Sequence, residues 1–230
     1  VASNVESHGT FSGIYWITLE DGSQRLATQN LSPGRRVYGE RLISWRGVEY
    51  RLWDPFRSKL AAAILKGLTT VPIRKNHKIL YLGAASGTTA SHISDLVGNK
   101  GHVYCVEFSA RSIRELVNNV CPYRSNITPL FEDARMPEKY LSFVEKVDSV
   151  YCDIAQPEQA KILVNNANIF LKEDGWTMLS VKSQSIDVTK KPTEVYREEV
   201  NILKKHGFII KDIVVLDPYE KAHAMIVSKI

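Results

Sequence analysis

Four apolar runs in this chain end in a small or acidic residue at a place where chemistry is possible. Gly83 follows Ile79-Leu80-Tyr81-Leu82, and Glu107 follows Val103-Tyr104-Cys105-Val106. Asp133 stands two residues past Ile127 to Phe131, and Asp153 follows Val147 to Cys152. The first run opens the turn Gly83-Ala84-Ala85-Ser86-Gly87-Thr88-Thr89, whose small side chains let a ligand approach the backbone. Free N–H groups at the start of the helix that follows favour negative charge. An acid at the end of the second strand, Glu107, lies where it would accept hydrogen bonds from ribose hydroxyls. Turn and acid together predict an adenosine-type cofactor. Lys182, at the end of Trp176 to Val181, and His223, at the start of the final strand, add an amine and an imidazole near Asp153.

These groups converge only if the elements form an open α/β sheet. From residue 78 onward strands and helices alternate. The predicted strands are Lys78 to Leu82, His102 to Glu107, Ile127 to Phe131, Val147 to Asp153, Trp176 to Lys182, Phe208 to Leu216 and His223 to Ser228. The predicted helices are Thr89 to Val97, Ser109 to Val120, Glu158 to Phe170 and Thr193 to His206, with a shorter one near Glu138 to Val144. Short, apolar, β-branched strands suit a mostly parallel sheet covered on both faces. Asp217-Pro218-Tyr219-Glu220 is too short for a parallel crossover, so the seventh strand is predicted antiparallel. Ligands in such sheets bind beyond the carboxyl ends of the strands, which places Gly83, Glu107, Asp133 and Asp153 around one crevice.

Residues 1–53 read differently. Phe11 to Leu19 and Gln24 to Thr28 flank Asp21-Gly22, a hairpin signal, and Val37 to Trp45 and Val48 to Trp53 flank Arg46-Gly47. This predicts a small antiparallel β module, whose Tyr15, Trp16, Tyr38 and Trp45 are expected in a core. Asp54-Pro55 marks the boundary with a second domain, 54–230. That domain opens with a helix over Ser58 to Lys66, which Gly67 stops.

The 230 residues carry a formal charge of +5, which permits a nucleic-acid partner without requiring one. Arg35, Arg36, Arg41, Arg46, Arg51, Arg57 and Lys59 recur before the cofactor turn, and they are expected to hold RNA phosphate if RNA is the substrate. Cys105, Cys121 and Cys152 have no Cys-x-x-Cys spacing, so small buried thiols are expected and neither a disulfide nor a metal site is indicated. Without a bilayer-length apolar run or a charged-then-apolar leader, no membrane partner is expected and the localisation is read as cytoplasmic.

The segments Leu82 to Thr89, Val106-Glu107-Phe108-Ser109, Asp133-Ala134-Arg135, Asp153-Ile154-Ala155-Gln156-Pro157, Lys182 to Asp187, Leu216 to Tyr219 and Trp53 to Leu60 together resemble the fibrillarin family, in its archaeal form. That resemblance implies a class I, Rossmann-like, S-adenosylmethionine-dependent RNA 2′-O-methyltransferase acting on rRNA, and on tRNA as a further substrate. It implies work inside a box C/D guide ribonucleoprotein, with guide RNA and target RNA, a Nop-domain scaffold and a kink-turn-binding ribosomal-type protein. By position it assigns a catalytic set of Lys59, Asp153, Lys182 and His223. It assigns S-adenosylmethionine to Gly83, Ala85, Gly87, Thr88, Thr89, Glu107, Phe108, Asp133, Ala134, Asp153, Ile154, Ala155 and Gln156. Thr88 and Thr89 would meet the methionine end, Glu107 and Phe108 the ribose and adenine, and Asp153 to Gln156 the side nearest the sulfonium.

Two other enzyme readings and one non-enzyme reading compete. A nicotinamide-dependent oxidoreductase is disfavoured by the missing Gly-x-Gly-x-x-Gly and by the antiparallel last strand. A non-catalytic RNA-binding scaffold gives no reason for Lys59, Asp153, Lys182 and His223 to gather at one edge. A protein side chain as methyl acceptor would use the same sulfonium chemistry.

Overall fold

The computed structural model describes residues 2–230. Two sheets carry the chain. The larger has seven strands: β6 (Lys78–Leu82), β7 (His102–Val106), β8 (Ile127–Leu130), β9 (Val147–Cys152), β10 (Leu171–Lys182), β11 (Ile209–Val215) and β12 (His223–Lys229). Their spatial order is β11-β12-β10-β9-β6-β7-β8. β6 pairs in parallel with β7 and β9, and β12 pairs antiparallel with both β10 and β11. The predicted antiparallel seventh strand is present, and it is inserted between its two predecessors. β10 begins earlier than predicted. Leu171 pairs with Val147, and the register then slips through residues 172–175 before Trp176 pairs with Ser149.

Alternate residues of each central strand enter opposite layers, as the period of two requires. Ile79, Tyr81, Cys105 and Tyr151 pack with α1 (Lys59–Leu65), α2 (Thr88–Val97) and α3 (Ala110–Asn119). Leu80, Leu82, Val106 and Cys152 pack with α4 (Gln159–Phe170) and α6 (Pro192–Lys205). A one-turn helix, α5 (Ser183–Ile186), follows β10 directly. Cys105 and Cys152 are buried and Cys121 half-buried, all as free thiols.

The smaller sheet holds β1 (Ala2–Ser7), β2 (Ile14–Leu19), β3 (Gln24–Gln29), β4 (Leu42–Trp45) and β5 (Val48–Leu52), in the order β1-β2-β3-β5-β4. β1 was not anticipated, because Ala2 to Ser7 has no clear alternation of apolar and polar residues. The predicted strand over 37–45 shrinks to β4, because Val37 and Tyr38 give their N–H groups to the Glu40 carboxylate instead of to a neighbouring strand. Tyr15 and Trp45 pack on the small sheet's own core, and Trp16 packs on the large one.

A buried polar network joins β3 and β5 to α2. The Arg51 side chain is fully buried and contacts Glu40 at 2.7 Å, Asp95 at 2.9 Å and Ser91 at 2.8 Å. Asp95 also receives Arg124 at 2.6 Å, Thr28 at 2.7 Å and the Leu31 N–H at 2.9 Å. Thr28 gives its only proton to Asp95, so its hydroxyl accepts from His92 Nδ1 at 2.8 Å. Burial and the two guanidinium groups hold the His92 pKa well below its ordinary value, which keeps the imidazole neutral.

Candidate active site

The carboxyl ends of β6, β7, β8 and β9 open on one cavity of about 190 Å³. Gly83, Ala85, Glu107, Phe108, Asp133, Ala134, Asp153, Ile154, Ala155, Gln156 and Lys182 line it, so eleven of the positions singled out from sequence meet there. Val106, Glu132 and Arg135 line it as well and were not anticipated as site residues. Arg135 closes onto Asp133 at 2.6 Å, and this contact holds the Asp133 carboxyl below its ordinary pKa.

Close approach dictates the composition of the turn. Gly83 has φ +80°, and a Cβ there would lie 2.4 Å from the Asp153 carbonyl oxygen. Ala85 also takes a left-handed φ, +50°. Its N–H donates to Glu107 Oε2 at 2.8 Å, while Glu107 Oε1 accepts from Ser109 N–H at 2.8 Å. The acid is thereby fixed against the turn that faces it across the crevice. Gly87 caps α2 from the left-handed region, where a Cβ would fall 2.6 Å from Leu116 of α3. Gly87, Thr88 and Thr89 are not among the residues that line the cavity. Thr89 is buried and donates to Ser58 Oγ at 2.9 Å, and Ser58 is the N-cap of α1, the helix that begins with Lys59. The turn and the lysine are thus tied by one hydroxyl pair.

Lys59, Asp153 and Lys182 form a chain of contacts at the cavity edge. Lys59 Nζ is 3.4 Å from Asp153 Oδ2, and Lys182 Nζ is 2.9 Å from Oδ1 and 3.3 Å from the Asp153 carbonyl oxygen. Burial alone would raise the Asp153 pKa, but the two ammonium groups outweigh it and the net shift is downward. One carboxylate between two ammonium groups leaves the cluster with a net positive charge. His223 pairs in register with Lys182 across β12 and β10. Its Nδ1 lies 2.7 Å from the Lys221 carbonyl, which only accepts, so Nδ1 carries the proton and Nε2 keeps a lone pair. Burial lowers the His223 pKa, against the raising effect of that carbonyl, and Lys59 and Lys182 lower it further. The imidazole is therefore neutral near pH 7.

Gln159 holds Lys182 from behind. Its Oε1 accepts the Lys182 N–H at 2.9 Å and its Nε2 donates to the Lys182 carbonyl at 3.3 Å, with the glutamine fully buried. A glutamine at the first position of a helix gives no sequence signal for this role. The basic segment needs correction. Arg51 is sealed inside the polar network and Lys59 is engaged with Asp153, so neither is free to hold phosphate on an outer face. Arg35 lies over the Tyr123 ring at 4.1 Å, and Arg36, Arg41, Arg46 and Arg57 are exposed.

A parallel sheet with an inserted antiparallel last strand, a small-residue turn after β6 and an acid after β7 define a Rossmann-like, class I methyltransferase fold. The fibrillarin family profile matches residues 5–230, and the chain belongs to that family. The Fibrillarin-like rRNA/tRNA 2′-O-methyltransferase of Staphylothermus marinus is 54% identical over 226 residues, covering 98% of this chain and 96% of that protein. The crystal structure of Aeropyrum pernix fibrillarin in complex with natively bound S-adenosyl-L-methionine is 52% identical, covers 99% of both chains and superposes with a TM-score of 0.93. A fibrillarin chain from a fibrillarin/Nop5p complex is 43% identical, covers 94% of this chain and 96% of that one, and superposes with a TM-score of 0.82.

Proposed function

We propose that this chain transfers a methyl group from S-adenosylmethionine to the ribose 2′-oxygen of rRNA and tRNA, as the catalytic subunit of a box C/D guide ribonucleoprotein. The observation that carries the reading is the convergence of Lys59, Asp153, Lys182 and a neutral His223 on the edge of the crevice that contains Glu107. The crevice fits the cofactor: an acid fixed by Ala85 and Ser109, a small-residue turn and the exposed Phe108 ring offer ribose and adenine partners.

Bound S-adenosylmethionine supplies an electrophilic methyl group on a sulfonium. Glu107 accepts hydrogen bonds from the cofactor ribose, and Phe108 covers the adenine. Holding acceptor oxygen and methyl group in line is the main task of the chain, and such orientation lowers a barrier by roughly 7–11 kcal/mol. Lys182, braced by Gln159 and Asp153, directs its ammonium group at the acceptor oxygen and stabilises the negative charge that forms there. The 2′-hydroxyl oxygen forms the new bond to carbon as the carbon–sulfur bond breaks with its electron pair on sulfur. The hydroxyl proton leaves to the Nε2 lone pair of His223, directly or through water. Lys59 keeps Asp153 ionised and so maintains the brace.

A Nop-domain scaffold, a kink-turn-binding protein and a guide RNA deliver the acceptor, because the chain has no aromatic single-strand module of the RRM kind to select a base. The test is methylation by the assembled complex with a guide-matched RNA, with the product mapped for 2′-O-methyl ribose. Transfer to a base or to a protein refutes the reading, as does efficient site-specific methylation by the isolated chain. Lys182→Ala is expected to cut the rate about 10²-fold or more with cofactor affinity little changed. Unchanged methylation removes Lys182 from the mechanism.

A further inference from the structure

The loop after β8 carries a polar arrangement that no step of the transfer uses. Asp133, Ala134 and Arg135 line the crevice together with Phe108. The main chain of this loop is tied to α4. Asn166, fully buried, donates through Nδ2 to the Ala134 carbonyl at 2.8 Å and to the Ile162 carbonyl at 2.9 Å. Its Oδ1 accepts from the buried Tyr140 hydroxyl. The Met136 N–H closes the turn on the Asp133 carbonyl at 2.9 Å. These contacts leave one thing undetermined, the direction of the Asp133 carboxylate, whose side chain is 22% exposed.

Arg135 sets that direction. Its main-chain N–H reaches Oδ1 at 2.9 Å, its Nε–H is shared between Oδ1 at 3.1 Å and Oδ2 at 2.9 Å, and its Nη2 reaches Oδ2 at 2.6 Å. A carboxylate offers about four lone-pair sites, so three donors from one residue leave one site open. The Arg135 side chain is 54% exposed, and an ion pair so open to water adds little to stability. A planar fork closed on a carboxylate adds geometric definition instead.

We infer that Arg135 is a positioning residue for the cofactor's adenine: its fork aims the one open lone pair of Asp133 at the exocyclic amine of the purine. An acceptor-only group in that place favours an amino purine, and it sets lone pair against lone pair with a purine that carries a keto group at the same carbon. A carboxylate already held in its binding direction also avoids the ordering cost that a freely turning side chain meets when the ligand arrives. The inference rests on the cofactor named in the 2′-O-methylation reading and on no other part of it.

The test compares S-adenosylhomocysteine with its desamino analogue, in which unsubstituted purine replaces adenine, by calorimetry on the full chain. The wild type is expected to prefer the amine about tenfold or more, as for a hydrogen bond to a charged group. Arg135→Ala is expected to weaken S-adenosylhomocysteine about fivefold and to leave the desamino compound where it was, so that the preference falls to about twofold. Arg135→Lys keeps the charge without the fork and is expected to behave as the alanine variant does. Melting temperatures of both unliganded variants are expected to match the wild type, because Asn166 and Met136 hold the main chain of the loop without Arg135.

A wild type that binds the two compounds equally, or an amine preference that survives in the alanine variant, overturns the role of Arg135. A lysine variant with the wild-type preference overturns it as well, since charge and not the fork would then direct Asp133. A fallen melting temperature with the preference intact makes the pair structural and also removes the role. A wild type that binds neither compound overturns the cofactor reading, and the role of Arg135 with it.

Discussion

Glu199 is an acid in a place that favours its neutral form. It is 3% exposed on α6, and its Oε2 accepts the Ala160 N–H at 2.7 Å at the start of α4. Burial, opposed by that hydrogen bond and reinforced by Glu198, raises its pKa from 4.5 to about 7. As the pH rises from 4.5, the unfolded chain releases this proton first, so stability is full below 4.5, falls through the interval and is lost above about 7. At about 1.4 kcal/mol per unit the loss at pH 8 is about 3 kcal/mol. Glu199→Gln keeps an oxygen for the Ala160 N–H and removes the titration. The variant is expected to match the wild type at pH 4.5 and to exceed it by about 3 kcal/mol at pH 8. Guanidinium unfolding followed by circular dichroism at unit pH steps measures this. His8, His92, His102 and His223 have lowered pKa values, so they contribute stability that is lost as the pH falls, the opposite sign. They act equally in both proteins, and the difference between the two curves isolates residue 199. Parallel curves from pH 4.5 to 8 refute the reasoning.

Asp95→Asn leaves Arg51 and Arg124 buried without their shared counter-charge, and a loss of about 3–5 kcal/mol in unfolding free energy is expected. A loss below about 1 kcal/mol in the same denaturation assay would show that the network reorganises around the vacancy. Glu107→Ala is expected to weaken S-adenosylmethionine binding about tenfold or more by calorimetry, from hydrogen bonds to a charged group worth about 1.5–3 kcal/mol. An unchanged Kd would move the ribose away from Glu107. The methylation rate at saturating substrates is expected to be level near neutral pH and to fall on acidification, as His223 takes a proton and loses its Nε2 lone pair. His223→Gln is expected to lower the plateau and abolish the acid limb, and an acid limb that persists would assign the titration to another group.

The large sheet was legible because its central strands β6, β7 and β9 are short and apolar on both faces and are followed by helices, some with clear starts such as Ser109 before α3. The crevice was legible because each of four strands ends in a small or acidic residue, and one topology brings those ends together. What escaped the sequence depends on distant partners. Arg51 looks like one more exposed cation in a basic run, and only the fold brings Asp95 and Ser91 to it from 44 and 40 residues away. Gln159 and Lys182 meet across 23 residues through main-chain groups, which leave no trace in residue type. The slip in β10 likewise follows from a local choice, since Asp174 takes a left-handed φ of +61° before the strand resumes pairing at Trp176.

The same long-range ties explain why the site needs more than its four polar side chains. Asp153 alone at the end of β9 would pay a desolvation penalty, and one lysine would only neutralise it. With two, Lys59 through Ser58 and Thr89 to the cofactor turn, and Lys182 through Gln159 to α4, the carboxylate stays ionised and the cluster remains cationic. Burial, together with that cationic cluster, disfavours protonation of His223, so the imidazole near the crevice stays free to accept a proton at neutral pH. A hydroxyl brought to this edge meets a fixed positive charge for its oxygen and a lone pair for its hydrogen. Removing either lysine therefore does more than delete an amine: it loosens the other one, and the two substitutions together are expected to cost less than the sum of each alone.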